Sequence, residues 1–467
     1  MRATAAQRLD RLPESSFHRR LAMMIGLGLF FDAFDLYLAG GVMVALNHSA
    51  FGNTASNAQF ASAGAFGALV GACLAGWLGD RFGRRFSFQA NLALFGAMSI
   101  AAALAPSMGW LIAARFLMGI GLGAEIVVGY STISEFAPPA ARGRWGAILF
   151  FVATSALPVS NLMGYLIIPA FGWRWMFAIA GVGGLVVWYL RKKMPESPRW
   201  LESVGRVDEA DAVLDAIEAE VERDLGRPLP PPAIIRPPAE LAQRFSDLWR
   251  PPILRSTIVG MTLNVISLSG LYGFIIWLPT FLVKQGVSLP SSLGLSTLMA
   301  AGSLLGVGAA GRVADRMSRK KGIAAMSVVT AILGLAYPFG GTVVVTTLIG
   351  VLLIASFYFV STIGFSTYVP EIFPTALRLR GAGVCSMAGR AAAVAAPQAC
   401  AALFSSGGVG AVTGALSAML VVQALIIALF GVETTGRSLD AGLLDPRGDD
   451  SVRPGQAVIA DLHDRAA

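Results

Sequence analysis

Five ionisable side chains stand inside long apolar stretches of this 467-residue sequence, away from the stretch ends: Asp32, Asp35, Arg115, Glu125 and Arg390. Each is costly in hydrocarbon unless paired or hydrated, so its default reading is functional. A carboxylate beside a guanidinium stays ionised; drawn away from it in a drier cavity, the same carboxylate takes up a proton. At about 1.5 Å per residue, Asp35 lies roughly 21 Å along its stretch and Arg115 roughly 8 Å along one running the opposite way. In an apolar layer of about 30 Å the two share nearly the same depth, and an Asp35–Arg115 pair is allowed. Asp35 is therefore the expected proton-coupling acid. Asp32, three residues away and on nearly the same face, is the rival carrier or part of a polar packing network. Glu125, about 23 Å along its stretch, either relays a proton inward or pairs with an arginine of the cytoplasmic gate. Arg390 lies near the middle of its stretch, and no acid falls within the apolar stretches of the second half of the chain. Its partner is either an aspartate of the first half or an anionic substrate, for which an arginine fork is suited.

The elements that hold these groups follow from composition. Apolar residues make up 55% of the chain and charged residues only 14%, against about a quarter charged in soluble domains; the mean hydropathy is +0.65. The net charge of +8 then reports orientation in a bilayer and not nucleic-acid binding. Twelve stretches are long enough to cross a membrane as helices: 21–46, 58–79, 86–105, 110–134, 146–169, 175–193, 254–283, 291–313, 322–340, 343–369, 381–404 and 409–432. Their length and uniformity exclude barrel strands, and backbone polar groups must be satisfied within lipid. The expected fold is an all-α membrane protein of twelve transmembrane helices. Cys73, Cys385 and Cys400 sit in apolar stretches without disulfide or metal-ligand spacing, and no histidine lies inside a stretch, so carboxylates must do any proton work.

The loops after spans two, four, eight and ten read GDRFGRR, PPAARGRW, DRMSRKKG and FPTALRLRG, while the alternate loops are nearly free of lysine and arginine. The positive-inside rule places both termini in the cytoplasm of a bacterial-type inner membrane. Residues 1–20 form a polar, arginine-rich leader without a cleavable apolar core. Six spans (21–193), a linker (194–253), six more spans (254–432) and a tail (433–467) complete the chain. The linker carries a charged helical stretch and the proline-rich PLPPPAIIRPP, a stiff connector.

The two groups of six spans are internally repeated. Gly76-x-x-x-Asp80-Arg81-x-x-Arg84-Arg85 recurs as Gly311-x-x-x-Asp315-Arg316-x-x-Arg319-Lys320, and Glu135-x-x-Pro138-x-x-x-Arg142 recurs as Glu371-x-x-Pro374-x-x-x-Arg378, at offsets of 235 and 236 residues. Glu196-x-x-Arg199 and Glu433-x-x-x-Arg437 follow the sixth and twelfth spans. Two parallel six-helix repeats with a site between them are the architecture of a rocking transporter.

The Gly-x-Leu-Gly-Asp-Arg-x-Gly-Arg-Arg run at 76–85, RFLMGIGLG in span four, PESPRWL at 195–201 and the spaced repeat together resemble the major facilitator superfamily over nearly the whole chain. FFDAFD, the GAE at 123–125, YGFIIWLPTFL and Gly389-Arg390 look closest to its proton-coupled carriers of aromatic acids and nicotinate-like metabolites. Sugar porters share PESPRWL, but the paired glutamines usual in their seventh span are absent from TLNVISLSGLYG. The resemblance implies that an aspartate of span one and the span-four arginine form the coupling pair. It also makes Asp80, Arg84, Glu135, Arg142, Asp315, Glu371 and Arg378 a cytoplasmic gate that locks the outward-open state.

Asn161, Asn264, Tyr272, Tyr358 and Gln398 are the expected substrate-facing residues, since amides and rings suit a flat organic solute. Trp277, Trp110 and Trp173 read as membrane-interface aromatics, and the glycines at 119, 121 and 123 as close helix packing. There is no phosphate-binding loop and no nucleophile placed with a base, so neither ATP-driven transport nor an enzyme is expected. The expectation is a secondary transporter importing a small organic acid with protons, working as a monomer in lipid, without cofactor, metal or nucleic acid. A sugar or polyol symporter, or an organic-cation carrier, is the alternative.

Overall fold

The computed structural model describes residues 3–138, 141–231, 245–251, 253–313, 317–373 and 377–434. Pro232, Pro237 and Pro238 of the linker, Asp315, Arg437 and most of the tail lie outside the described residues, as does the side chain of Asp80. The described residues are overwhelmingly helical, and no strand occurs among them.

A short α1 (Ala5–Asp10) precedes α2 (Ser16–His48), α3 (Thr54–Phe82), α4 (Arg84–Ala103), α5 (Met108–Phe136), α6 (Arg142–Phe171) and α7 (Arg174–Leu190). The connector holds α8 (Pro198–Ser203) and α9 (Val207–Leu225). Then come α10 (Ile253–Gly270), a π-helical turn at Leu271–Ile275, α11 (Leu278–Lys284), α12 (Leu289–Val313), α13 (Arg319–Ala336), α14 (Val343–Ile363), α15 (Val369–Glu371) and α16 (Arg378–Phe430). Ten helices among the described residues are long and apolar enough to cross a membrane, with α10 through α11 counted as one; α7 is a shorter apolar helix. Inside α16 the backbone leaves helical geometry at Gly407 and Gly408, the latter at φ +66°, a conformation glycine adopts without the Cβ penalty. That break falls between the stretches 381–404 and 409–432.

Local signals set the helix ends. Asn53 opens α3 with a reciprocal cap: its Oδ1 accepts from the Ser56 N–H and its own N–H donates to Ser56 Oγ, both at 2.8 Å. Ser107 caps α5 by accepting from the Trp110 N–H. Gly83 turns the chain between α3 and α4 at φ +92°, and a Cβ there would sit 2.8 Å from the Glu196 carboxyl carbon. Only glycine meets both demands of this motif.

Helices before residue 198 meet those after residue 253 chiefly where α3 packs on α16 and α6 on α12, with α2 against α11 and α12. Within the first group α5 packs closely on α3 and α4. A Cβ on Gly119 would lie 3.1 Å from Gly67 Cα, one on Gly123 2.6 Å from Ala68 Cα, and one on Gly121 2.8 Å from the Asn91 carbonyl oxygen. These glycines are packing residues, as their apolar helix implied. Two expectations are corrected. Trp277 is wholly buried, stacked on Phe281 with ring centroids 6.5 Å apart, and Trp173 is buried against Phe51 and Phe177. Both anchor a core, whereas Trp110 is exposed. Period and composition distinguish a wide apolar helix from a narrow one poorly; tertiary packing decides.

Candidate functional site

The geometry is organised around the buried charges of α2 and α5. Asp35 is fully enclosed and Arg115 is 3% exposed. Arg115 Nη1 donates to Asp35 Oδ2, and Nη2 donates to the Asp35 carbonyl oxygen at 3.1 Å. The guanidinium carbon lies 5.1 Å from the Phe60 ring centroid, a cation–π contact. Gly64 makes room for it, since a Cβ there would come within 2.8 Å of Arg115 Nε. The depth comparison from sequence thus anticipates a pair that the fold forms.

Glu125 has a partner that sequence reasoning missed. Arg191, just past the end of α7, reaches back into the bundle, donates from Nη1 to Glu125 Oε1, and binds the Met24 and Ile25 carbonyl oxygens of α2 at 2.8 and 2.9 Å. Its guanidinium carbon is 4.7 Å from the Phe88 ring centroid. Both members of the pair are about 1% exposed. The sequence signal was RKK at a span boundary, which reads as an interfacial anchor because long basic side chains ordinarily extend toward water. Gly28 permits the approach: a Cβ on it would be 2.6 Å from Arg191 Cζ. Asp32 is 4% exposed, and its Oδ2 has no hydrogen-bond partner.

Arg390 enters from the other group of helices. Its Nη1 donates to the Ala68 carbonyl oxygen of α3 at 3.3 Å, and no carboxylate pairs with it among the described residues. A salt bridge from Arg390 to Asp32 or Asp35 is therefore not formed in this structure. Tyr272, on the π-helical turn, lies within electrostatic reach of Arg115, Arg390 and Asp35 together. Arg115 packs against Gly64 and Arg390 reaches Ala68, one turn apart on α3, so the Asp35–Arg115 pair and Arg390 approach the same stretch of that helix.

The remaining nominated residues divide. Tyr358 is 5% exposed and its hydroxyl meets that of Tyr37, unremarked in the sequence, at 2.8 Å. Asn264 is buried, but its Nδ2 is engaged by the Gly260 carbonyl of its own helix at 2.9 Å. Asn161 is half-buried and Gln398 exposed.

The repeated cytoplasmic motifs form matching local networks. Arg84 binds Glu135 at 3.0 Å, and the corresponding Arg319 binds Glu371. Glu196 accepts from the Arg84 N–H at 2.8 Å and the Arg85 N–H at 3.2 Å at the start of α4; Glu433 accepts from the Arg319 N–H at 3.2 Å at the start of α13. Each acid caps a helix N-terminus, where the backbone donors and dipole favour negative charge. Arg142 instead binds Asp10 of α1 at 2.6 Å, and Arg199 binds the same carboxylate at 2.7 Å. The leader is thus folded: Arg8 contacts Asp215 and Glu218 of α9 at 2.5 and 2.7 Å, and Arg11 contacts Glu218 at 2.8 Å. Burial alone would raise the Glu218 carboxyl, but hydrogen bonds from Arg8 and Arg11 outweigh it and hold the group below the ordinary glutamate value.

Residues 21–441 match the family described as "Sugar (and other) transporter". The chain belongs to that family, within the major facilitator superfamily. The transporter is 35% identical to the inner membrane metabolite transport protein YdjE of Escherichia coli (strain K12), covering 93% of this chain and 97% of that one. It is 32% identical to the niacin transporter NiaP of Acinetobacter baylyi, covering 93% and 98%. Among solved structures it resembles the partially occluded inward-open xylose transporter XylE from E. coli, with a TM-score of 0.74 at 20% identity, covering 91% of this chain and all of that one. The transporter is an integral, multi-pass membrane protein and not an enzyme.

Proposed function

We propose that this transporter imports a small organic acid, aromatic or otherwise carboxylate-bearing, together with protons by alternating access. The observation that carries the reading is Arg390: a guanidinium at mid-depth, without a carboxylate among the described residues, reaching the Ala68 carbonyl of α3 one turn from Gly64, against which Arg115 packs. A carboxylate reaching Arg390 would meet a guanidinium engaged at Nη1 by one backbone carbonyl oxygen at 3.3 Å and by no carboxylate among the described residues. Niacin, named for one relative, is an aromatic acid of this kind.

Twelve spans in two six-helix halves complete the proposal, with both termini cytoplasmic. The ten long helices, the short α7 and the break in α16 support that count, and the arginine-rich loops support the orientation. Asp35 with Arg115 is the coupling pair; Asp32 and Glu125 are the further carboxylates on the proton route. Asn161, Asn264, Tyr272, Tyr358 and Gln398 join Arg390 in the substrate cavity. Asp80, Arg84, Glu135, Arg142, Asp315, Glu371 and Arg378 form the cytoplasmic gate. The matched Arg84–Glu135 and Arg319–Glu371 pairs, each within one group of helices, suit a gate that closes when the groups approach.

A sugar or polyol is the second reading, favoured by the Tyr37–Tyr358 hydroxyl pair, which offers the donor and acceptor a polyhydroxyl solute would use. Uptake into proteoliposomes of benzoate, nicotinate, short carboxylates and pentoses separates the two. Uptake of acids that falls steeply in Arg390→Ala supports the acid reading; uptake of pentoses alone refutes it.

A further inference from the structure

The buried charges of the first group of helices do not balance. Among the described residues, α2 contributes Asp32 and Asp35, α5 contributes Arg115 and Glu125, and the turn after α7 contributes Arg191, all 4% exposed or less. Three carboxylates face two guanidiniums. Asp35 is taken by Arg115 and Glu125 by Arg191, which leaves Asp32 over, with Oδ2 unpartnered. Glu125, Arg191 and Asp35 are the charged groups within its electrostatic reach. The other helices packed on α2 bring no further charge to this depth: Arg142 and Arg144 of α6, Arg174 of α7 and Lys284 of α11 stand at helix ends, and Asp80 and Arg81 lie at the end of α3. Across the seam, Arg390 is the converse case, a cation without a carboxylate.

We infer that Asp32 holds the one proton this array requires, and that the count of buried charges restricts the cargo to a monoanion carried with a single proton. The inference rests on the acid-symport reading of the same site. One proton on Asp32 neutralises the odd carboxylate, and one monoanion on Arg390 neutralises the odd guanidinium. Proton alone or anion alone leaves an unpaired charge in a dry bundle, which is strongly disfavoured. A dianion leaves one negative charge uncompensated, so it is rejected. The proton passes from outer water to the Asp32 carboxylate and from there to inner water, with no covalent change elsewhere. Arg191 acts as a positioning residue: by neutralising Glu125 it fixes the number of odd carboxylates at one.

Two measurements test this on the full-length protein. In proteoliposomes at fixed pH gradient, imposing a membrane potential of either sign with potassium and valinomycin is expected to change initial nicotinate uptake less than twofold. Nicotinate accumulation above that of protein-free vesicles is expected to rise about tenfold per unit of pH gradient, as one proton per anion requires. Pyridine-2,3-dicarboxylate is expected not to enter. Potential-driven uptake, or entry of the dianion, overturns the count while leaving acid symport intact; absence of proton-coupled flux with every acid overturns the reading beneath it. The second measurement needs no transport. Infrared spectra of the purified protein with saturating nicotinate at neutral pH are expected to show one protonated buried carboxyl, shifted in heavy water. That band should be lost in Asp32→Asn and in Asp35→Asn, where two carboxylates then face two guanidiniums, retained in Arg191→Lys, and doubled in area in Arg191→Gln. No such band in the unsubstituted protein, or a band that survives Asp32→Asn, contradicts the inference.

Discussion

The hydroxyls of Tyr37 and Tyr358 lie 2.8 Å apart, tying α2 to α14 across the seam between the two groups of helices. Both rings are at least 92% buried. Replacing either tyrosine by phenylalanine leaves the other hydroxyl without its partner, at a cost of about 1–3 kcal/mol, whereas removing both hydroxyls is nearly neutral. Tyr358→Phe is therefore expected to lower the melting temperature of the detergent-solubilised protein, and Tyr37→Phe/Tyr358→Phe to recover most of the loss. An additive double mutant would mean that the hydroxyls serve separate partners.

Helix packing makes a second prediction. Gly123 lies against the Ala68 backbone with no space for a side chain, while Gly146 of α6 has nothing within 4 Å of the Cβ position. Gly123→Val is expected to abolish the monodisperse peak in size-exclusion chromatography, because α3 and α5 cannot separate without opening the bundle. Gly146→Val should leave it unchanged. Equal behaviour of the two variants would contradict the packing account.

The leader supplies a pH and salt dependence. Glu218 is held below its ordinary value by Arg8 and Arg11, so its contribution to leader docking is present above the unfolded glutamate value of about 4.3. It is lost as pH falls through the lower, folded value. Cleavage of residues 1–15 by an acid-tolerant protease is expected to accelerate below that range. At neutral pH, cleavage should accelerate in high salt, which screens exposed ion pairs, and in Arg8→Ala. Leader protection insensitive to both salt and Arg8→Ala would place the docking energy in the apolar contacts of Leu9 and Leu12, which are 1% exposed.

Much of this was legible in the sequence, for physical reasons that differ by residue. The Asp35–Arg115 pair could be found by depth alone, because a helix converts residue number to distance at a fixed rise. The break at Gly407–Gly408 could be found from the length of apolar stretch a bilayer accepts. Arg191 could not, since a cation at a span end has two directions open to it and only the buried Glu125 decides between them. The leader reads from sequence only as a polar, arginine-rich segment. It folds because the acids of α9 that complement it lie about 200 residues away, beyond the range of local pattern. Tyr37 was likewise invisible, because its partner Tyr358 comes from the other group of helices.

Proton movement accompanying acid uptake is the measurement on which the proposed function stands. Proteoliposomes with a trapped pH indicator, given benzoate or nicotinate outside, should acidify inside and alkalinise outside at a rate far above that of protein-free vesicles. Asp35→Asn should abolish the difference, since Arg115 without its carboxylate keeps the remaining aspartate, Asp32, ionised and leaves no carboxylate to carry the proton. Tracer uptake unaccompanied by proton movement, or full proton-driven accumulation by Asp35→Asn, would contradict it.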